Sequence, residues 1–351
     1  MSSLLKMSAL LGWLMSGSLT TAASEESLAA PEVNMVIVVG APGASEYGDQ
    51  FIAWAGQWAD IGKQAGAHVT QIGLEPASED DDPDVERLQE AIASLQGTEA
   101  KTSRSHWLIF IGHGTFQANV AKLNLRGPDV DAEQLAKWLA PLQRPVVFVN
   151  VAAASGPFVN ALSGPNRIVV AATKSGTEQN FARFGAYLPR ALADPSSDLD
   201  HDEEISLLEA VLKASSETGE FYAAEGRIRT EHAILDDNGD RLGTPAEMLD
   251  WVIRGTPAET LAPAKTGSAQ SKMDGDMAAK TILVPAVDAP RLSEEDLVQR
   301  ARLEAELLAL RARQASLSED EYFAQVEMRM LQLAAIYRAA DNREKSPASS
   351  P

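Results

Sequence analysis

The chain of 351 residues contains no cysteine. Disulfides, thiolate metal sites and a cysteine nucleophile are therefore excluded, because each needs the cysteine sulfur. Basic residues are also scarce, with 30 lysines and arginines against 50 acidic residues and a net charge of -20. This balance argues against nucleic acid as a partner, since phosphate binding requires a basic face.

Long apolar runs are scarce as well. An apolar segment at residues 7–15 follows Lys6 and precedes small residues up to Ala23. This layout is typical of a secretory signal peptide over residues 1–23, and the segment is short for a membrane span. We expect an exported mature chain, periplasmic or extracellular, without a membrane span. The alternative is that the segment stays in place as an uncleaved anchor.

Apolar, β-rich runs alternate with helical stretches over residues 32–255, and three of the runs end in small residues. These three cover residues 106–114, 145–156 and 167–173. Such alternation predicts an α/β domain with a doubly wound, mainly parallel sheet. In these sheets ligands bind beyond the carboxyl ends of neighbouring strands. We therefore expect His113 and the small-residue turn after the second run to face each other across one crevice.

The C-terminal third changes character. Residues 256–291 are rich in Ala, Gly, Pro, Ser and Thr and are predicted to be a linker, with residues 281–287 as an added edge strand. Residues 292–341 repeat apolar side chains at helical spacing and predict an antiparallel helical hairpin. Its apolar stripe packs on itself or on the α/β domain, or it serves self-association. The tail, residues 342–351, is predicted to be disordered.

The order of motifs resembles the caspase–legumain group of cysteine peptidases. The closer resemblance is to bacterial caspase-like proteins of the peptidase C13-like type, and it extends over most of the mature chain. The sequences that carry it are GHGTF (112–116), NLRGPD (124–129), DLDHD (198–202) and TEHAILDDNGD (230–240), followed by the helical pair.

This resemblance implies a fold of caspase–legumain type, in which a histidine after the third strand activates a cysteine after the fourth. His113 matches the histidine, and the nucleophile position falls on Ala153. An alanine methyl cannot attack a carbonyl. We therefore expect a catalytically silent protein with a binding or scaffolding role, with a peptide or protein segment in the crevice. The alternative is a peptide hydrolase that uses Ser155 as nucleophile and His113 as base.

An acidic loop at residues 198–209 has the ligand spacing of an EF-hand, which predicts calcium binding. Glutamate occupies position 6, where glycine normally makes the turn, so we expect weakened affinity. The alternative is an acidic helix N-terminus. If the loop does bind calcium, a third function is a calcium-dependent structural module of an envelope assembly. The predicted ligands are Asp198, Asp200, Asp202, the Glu204 carbonyl, Ser206 through water, and Glu209.

A second acidic turn repeats part of this spacing with Asp236, Asn238, Asp240 and Glu247. It lacks the apolar residue at position 8, so a hairpin turn at Asn238 and Gly239 is favoured. His232 follows Glu231 and is a candidate ligand or acid/base partner of these acids. A local hydrogen bond is the favoured alternative.

Overall fold

The structure is a computed structural model, and it describes residues 33–75, 82–96, 104–249, 273–285 and 292–345. The predicted signal peptide, most of the predicted linker and most of the predicted tail lie outside these residues. No helix in the described part of the chain is both long and apolar enough to cross a membrane.

Ten strands form two sheets in the described residues. The large sheet has seven strands in the order β10-β9-β8-β7-β3-β1-β2, and the small one has the order β4-β5-β6. The large sheet contains β1 (Asn34–Val39), β2 (His68–Ile72), β3 (His106–Ile111), β7 (Val146–Asn150), β8 (Arg167–Ala171), β9 (Ile234–Asp236) and β10 (Thr244–Pro245). The small sheet contains β4 (Gly114–Gln117), β5 (Val120–Leu123) and β6 (Val130–Asp131).

The predicted mixed α/β architecture with a mostly parallel central sheet is confirmed. Strands β1, β2, β3, β7 and β8 are mutually parallel. Strand β9 pairs antiparallel with β8, and β10 pairs antiparallel with β9. The helices of the described chain are α1 (Ser45–Gln64), α2 (Asp84–Ser94), α3 (Ala132–Leu139), α4 (Gly156–Leu162), α5 (Phe184–Ala191), α6 (Leu207–Ala224), α7 (Glu294–Ala312) and α8 (Glu319–Lys345).

Helices cover both faces of the large sheet, which explains why its inner strands are apolar without interruption. In β1, Met35, Ile37 and Val39 belong to a core with α1, α5 and α6. The alternate residues Val36 and Val38 belong to a second core with α2, α3 and α4. Successive side chains of a strand point to opposite faces, so a strand covered on both sides needs an apolar residue at every position.

Helix α5 begins later than the sequence suggests. A helix over residues 177–193 is predicted, and this prediction is wrong at its N-terminus, because α5 starts at Phe184. The carboxylate of Glu231 accepts hydrogen bonds from the backbone N–H groups of Arg183, at 2.7 and 2.8 Å, and Phe184, at 3.0 Å. This distant carboxylate satisfies the first N–H groups of the helix, as an N-terminal cap does.

The predicted added strand at residues 281–287 does not join the large sheet in its described part. Ile282 makes an isolated antiparallel bridge to Ser206, and the Leu207 N–H donates to the Thr281 carbonyl at 2.9 Å. The segment therefore pairs with the end of the acidic loop, and the described strand at that side of the sheet is β10.

The C-terminal helices α7 and α8 contact each other, and their ion pairs show that they run antiparallel. Asp296 near the start of α7 pairs with Arg343 near the end of α8, and Glu306 lies 3.4 Å from Arg329. A further ion pair, 3.0 Å between Arg300 and Glu204, connects α7 to the acidic loop.

Candidate functional site

The turns that follow β3 and β7 are in direct contact. An added Cβ atom on Gly114 would lie 2.4 Å from the Ala153 carbonyl oxygen and 3.5 Å from the Ala152 Cβ. Only glycine leaves room for this approach, because real Cβ contacts are longer. The structure thus brings the His113–Gly114 turn and Ala153 together at the carboxyl ends of two adjacent strands.

His113 is half-buried and is held by one hydrogen bond and an aromatic shell. Its Nε2 lies 3.1 Å from the Pro42 carbonyl oxygen, and Nδ1 forms no hydrogen bond with any described residue. A carbonyl only accepts, so Nε2 carries the proton in the neutral ring and Nδ1 is the basic nitrogen. The ring centroids of Tyr47, Phe51 and Phe181 lie 5.1, 5.2 and 6.1 Å away.

Ala153 lies in a tight, buried turn. It is 5% exposed, and its neighbours Ala152 and Ala154 are each 1% exposed. Ala154 has a left-handed φ of 55°, and its N–H donates to the Glu178 carbonyl at 2.8 Å. The Ala152 N–H donates to the Asn150 side chain at 3.0 Å. The methyl side chain at this turn offers neither a lone pair nor a transferable proton.

Ser155 is bound to the neighbouring strand end. It is fully buried, its Oγ lies 3.0 Å from the Thr173 Oγ1, and the same Oγ accepts from the Thr173 N–H at 3.1 Å. The Ser155 N–H donates to the Thr173 Oγ1 at 2.8 Å. No hydrogen bond joins Ser155 to His113, so the geometry offers the hydrolase alternative no nucleophile–base contact.

Beside the two turns, β4 packs against the loop after β8. An added Cβ atom on Gly176 would lie 2.3 Å from the Phe116 ring, which shows that the ring packs on the backbone of this loop. The Gln179 side chain donates to the carbonyls of Phe116, at 3.4 Å, and Gly176, at 3.3 Å.

A cavity of about 240 Å³ lies elsewhere, at the amino ends of the first two strands. Its lining includes Asn34, His68, Thr70 and Ser94. The His113–Gly114 turn follows the carboxyl end of β3, at the opposite edge of the parallel sheet. The cavity is therefore separate from the turns after β3 and β7.

A second histidine lies beside the Ala153 turn. The Nδ1 of His232 is 2.6 Å from Oε1 of Glu178, whose other oxygen accepts from the N–H groups of Lys174, at 2.9 Å, and His232, at 3.2 Å. From the sequence, His232 is expected to pair with Glu231 and the nearby acids or to form a local hydrogen bond. Its partner is instead Glu178, whereas the Glu231 carboxylate accepts from the Arg183 and Phe184 N–H groups at the start of α5. Burial raises the pKa of Glu231. Sequence offers no signal for a pair 54 residues apart.

The acidic loop brings three of its predicted ligands together. Carboxylate oxygens of Asp198, Asp200 and Asp202 all lie within 4.8 Å of one another. Glu203, at the glycine position of an EF-hand, has the left-handed φ of 70° that this position needs. Burial raises the pKa of Asp202 to about 6, and burial followed by the charge of Glu209 raises the pKa of Asp200. In both groups burial disfavours the charged form, and neighbouring carboxylates add to the effect.

The other predicted ligands have protein partners. Glu209 is 2% exposed, with one carboxylate oxygen accepting from the Leu199 N–H at 2.7 Å and the other from the Ser206 N–H and Oγ, both at 2.8 Å. The side chains of Ser206 and Glu209 form a capping box at the start of α6. The Glu204 side chain pairs with Arg300. The loop is therefore both a cluster of carboxylates and a helix N-terminus.

The second acidic turn does not collect its spaced carboxylates. Asp236 is fully buried and accepts from the Ser163 hydroxyl at 2.9 and 3.1 Å. Glu247 pairs with Arg229 at 2.6 Å. Residues 237–243 connect β9 to β10, so Asn238 and Gly239 lie in a hairpin connection longer than a two-residue turn.

A buried carboxylate that sequence reasoning missed lies next to this turn. Asp274 falls in the predicted linker, yet it is 1% exposed. Its oxygens accept from the Thr244 hydroxyl at 2.5 Å and the Asp237 N–H at 3.1 Å. Burial raises the pKa of Asp274 to about 6. Its surrounding sequence is polar and rich in small residues, which gave no indication of burial.

No protein-family model matches the chain, and no curated protein matches it. The solved structures that are similar to it include the Drosophila initiator caspase Dronc. That chain is 15% identical with a TM-score of 0.39, and the match covers 60% of this chain and 81% of that one. They also include caspase-1 from Spodoptera frugiperda, which is 10% identical with a TM-score of 0.41, covering 59% of this chain and 86% of that one.

Proposed function

We propose that this chain is a catalytically silent protein of caspase-like, C13-like type, and that its crevice binds a peptide or protein segment without cleaving it. The observation that carries the proposal is the contact of Gly114 with Ala153 beside His113. It supports the proposal because Ala153 is the residue to which the resemblance assigns the nucleophile position. Within the described residues, the His113 ring forms no hydrogen bond to a serine or threonine hydroxyl that it could activate as a base.

Two further observations favour a catalytically silent protein over a serine hydrolase. Ser155 is fully buried, and its hydroxyl is engaged with Thr173. A nucleophile must instead be exposed to substrate and within hydrogen-bond reach of its base. The crevice keeps its two turns and its aromatic shell, which suits recognition of a segment more than chemistry on it.

The decisive assay compares the full chain and its Ser155→Ala variant on a broad panel of fluorogenic peptides. We expect no cleavage by either protein. Cleavage by the full chain that disappears in Ser155→Ala would contradict silence and support the serine hydrolase.

A cysteine introduced at Ala153 tests the site itself, because the chain has no other thiol. We expect Ala153→Cys to react with a chloroacetyl peptide faster than with chloroacetamide, and to lose the rate advantage when His113→Ala is added. The matched variant Ala53→Cys, on the exposed side of α1, should show no dependence on His113. If the thiol of Ala153→Cys behaves like the thiol of Ala53→Cys, the two turns do not form one site.

We also propose that the acidic loop binds calcium and stabilises the start of α6. The close carboxylates of Asp198, Asp200 and Asp202 and the left-handed Glu203 support this, while the engagement of Glu209 in the capping box predicts weak affinity. Titration calorimetry should show heat that is lost in Asp200→Ala and kept in Asp60→Ala, an exposed control on α1. Absence of heat at about 1 mM calcium, the affinity range of weak extracellular sites, would end this proposal.

Export of the chain is the third part of the proposal and follows from its N-terminal sequence. Residues 7–15 and the small residues after them support a signal peptide. Fractionation of expressing cells should find a shortened chain outside the cytoplasm. A full-length chain retained in the cytoplasm would contradict export.

A further inference from the structure

Strand β2 is the outermost described strand of the large sheet at the end opposite β10. Within the described residues, no strand pairs with its outer side. His68 and Gln71 are exposed, and Val69 and Thr70 are half-buried. An edge strand presents unpaired N–H and C=O groups, and these are a template for a further strand.

The register shows which backbone groups point outward. The His68 N–H donates to the Val33 carbonyl at 2.7 Å, and His68 is paired with Asn34 and Thr70 with Val36. In a parallel ladder alternate residues bond to the same neighbour, so His68, Thr70 and Ile72 direct their N–H and C=O groups to β1. Val69 and Gln71 therefore direct theirs to the outer side.

Strand β2 lacks the residues that usually prevent an edge strand from pairing with another molecule. Residues 65–74 contain no charged residue and no proline, although the chain has 30 basic and 50 acidic residues. Soluble proteins usually protect an edge with lysine, proline or an inward charge. Two molecules that each carry a net charge of -20 repel one another over most of their surface, and a neutral edge is where two copies can approach.

We propose that a second copy of this chain pairs with the first through β2, antiparallel and around a two-fold axis at Thr70. In this register Val69 of one copy lies opposite Gln71 of the other, and each pair exchanges N–H···O=C bonds in both directions. The interface is isologous, with the same residues from both copies. This inference goes beyond the proposed function and does not depend on it.

The expected dimer is weak. A short strand pair buries less than the roughly 1,200 Å² of a stable interface, so association should depend on concentration. The side chains of the two Gln71 residues lie diagonally across the pair on one face, within reach of long side chains. Like charges introduced at Gln71 should therefore weaken the association, and opposite charges should strengthen it.

Amide hydrogen exchange of the full chain at two concentrations tests the register. Between about 10 µM and about 1 mM, the exchange of Val69 and Gln71 should slow severalfold, while that of Thr70, already bonded to β1, stays unchanged. Equal exchange of Val69 and Gln71 at both concentrations would overturn the proposal. Slowing of all three amides alike would also overturn it, because general stabilisation does not distinguish the two sides of the strand.

Charge variants test the partner by sedimentation. Gln71→Glu and Gln71→Lys should each remain monomeric, and an equal mixture of the two should regain the doubled mass of the full chain. The same two substitutions at Gln117, exposed on β4, should leave dimerisation unchanged. Dimers that persist in both Gln71 variants would place the interface elsewhere, for example on α7 and α8. A chain that stays monomeric at all concentrations but binds a synthetic strand peptide would replace the second copy with an extended partner, and the proposal would fail.

Discussion

Ser155 and Thr173 connect the ends of β7 and β8 through buried hydrogen bonds. Removing the hydroxyl leaves the Thr173 N–H buried without its acceptor, and such a loss costs about 1–3 kcal/mol. We expect Ser155→Ala to lower the free energy of unfolding by this amount in urea titrations. The matched variant Ser94→Ala, on the exposed side of α2, should change it by less than about 0.5 kcal/mol. An unchanged stability in Ser155→Ala would mean that this hydroxyl is not a structural group.

Asp274 predicts a pH dependence of stability. Burial raises its pKa to about 6 from the ordinary 3.8, so the folded chain holds this proton more tightly than the unfolded chain does. The resulting stability is fully present below about pH 4 and is lost as the pH rises through about 6. We expect the free energy of unfolding in chelator to fall by about 2 kcal/mol over this window on account of this group.

Asp274→Asn should remove this part of the pH dependence, because the amide does not titrate and keeps an oxygen for the Asp237 N–H. Asp202, whose pKa is also raised to about 6, should leave a remaining slope of the same sign. Exposed Asp60→Asn is the control and should keep the full slope. An Asp274→Asn profile identical to that of the unchanged chain would contradict the assignment.

At the level of elements, β4 and the loop after β8 pack together beside the turns after β3 and β7. The Phe116 ring lies on Gly176, and Gln179 bonds to both residues. Removing the ring should loosen this packing and expose residue 153 more to solvent without altering the two turns. In the Ala153→Cys background, we expect Phe116→Ala to raise the alkylation rate of the introduced thiol about tenfold, as for loss of a local closing contact. Phe323→Ala, which removes an exposed ring on α8, should leave the rate unchanged. Equal rates in the two variants would mean that Phe116 does not close the crevice.

Elements whose signals are local were predictable. The stripe Phe51, Trp54, Trp58 and Ile61 predicts the buried face of α1, and all four side chains are at most 5% exposed. The start of α5 was not predictable, because its cap is the carboxylate of Glu231, 48 residues along the chain from Arg183. Residues 177–183 carry helix-compatible side chains, and the tertiary contact decides against the helix.

For the whole molecule, the net charge of -20 predicts a salt effect. Self-repulsion of like charges destabilises the compact state, and salt screens it over a Debye length of about 10 Å at 0.1 M. Raising NaCl from about 10 mM to about 200 mM in chelator should raise Tm by a few degrees, which corresponds to roughly 1 kcal/mol. Calorimetry measures this directly. A fall in Tm would mean that ion pairs such as Arg300–Glu204 outweigh the repulsion.

The mostly parallel α/β sheet was predictable from the amino-acid sequence, since periodic apolar runs reflect burial on one or both faces of an element. Because the carboxyl ends of adjacent parallel strands lie at one edge of a sheet, the strand pattern also predicted that the turns after β3 and β7 meet, while Ala153 as the nucleophile position came only from the resemblance. The tertiary structure alone decided the pairing of His232 with Glu178, the packing of Phe116 on Gly176 and the burial of Asp274. Each of these contacts joins residues far apart in the chain, and no local pattern records which distant group will fill a given space or accept a given hydrogen bond.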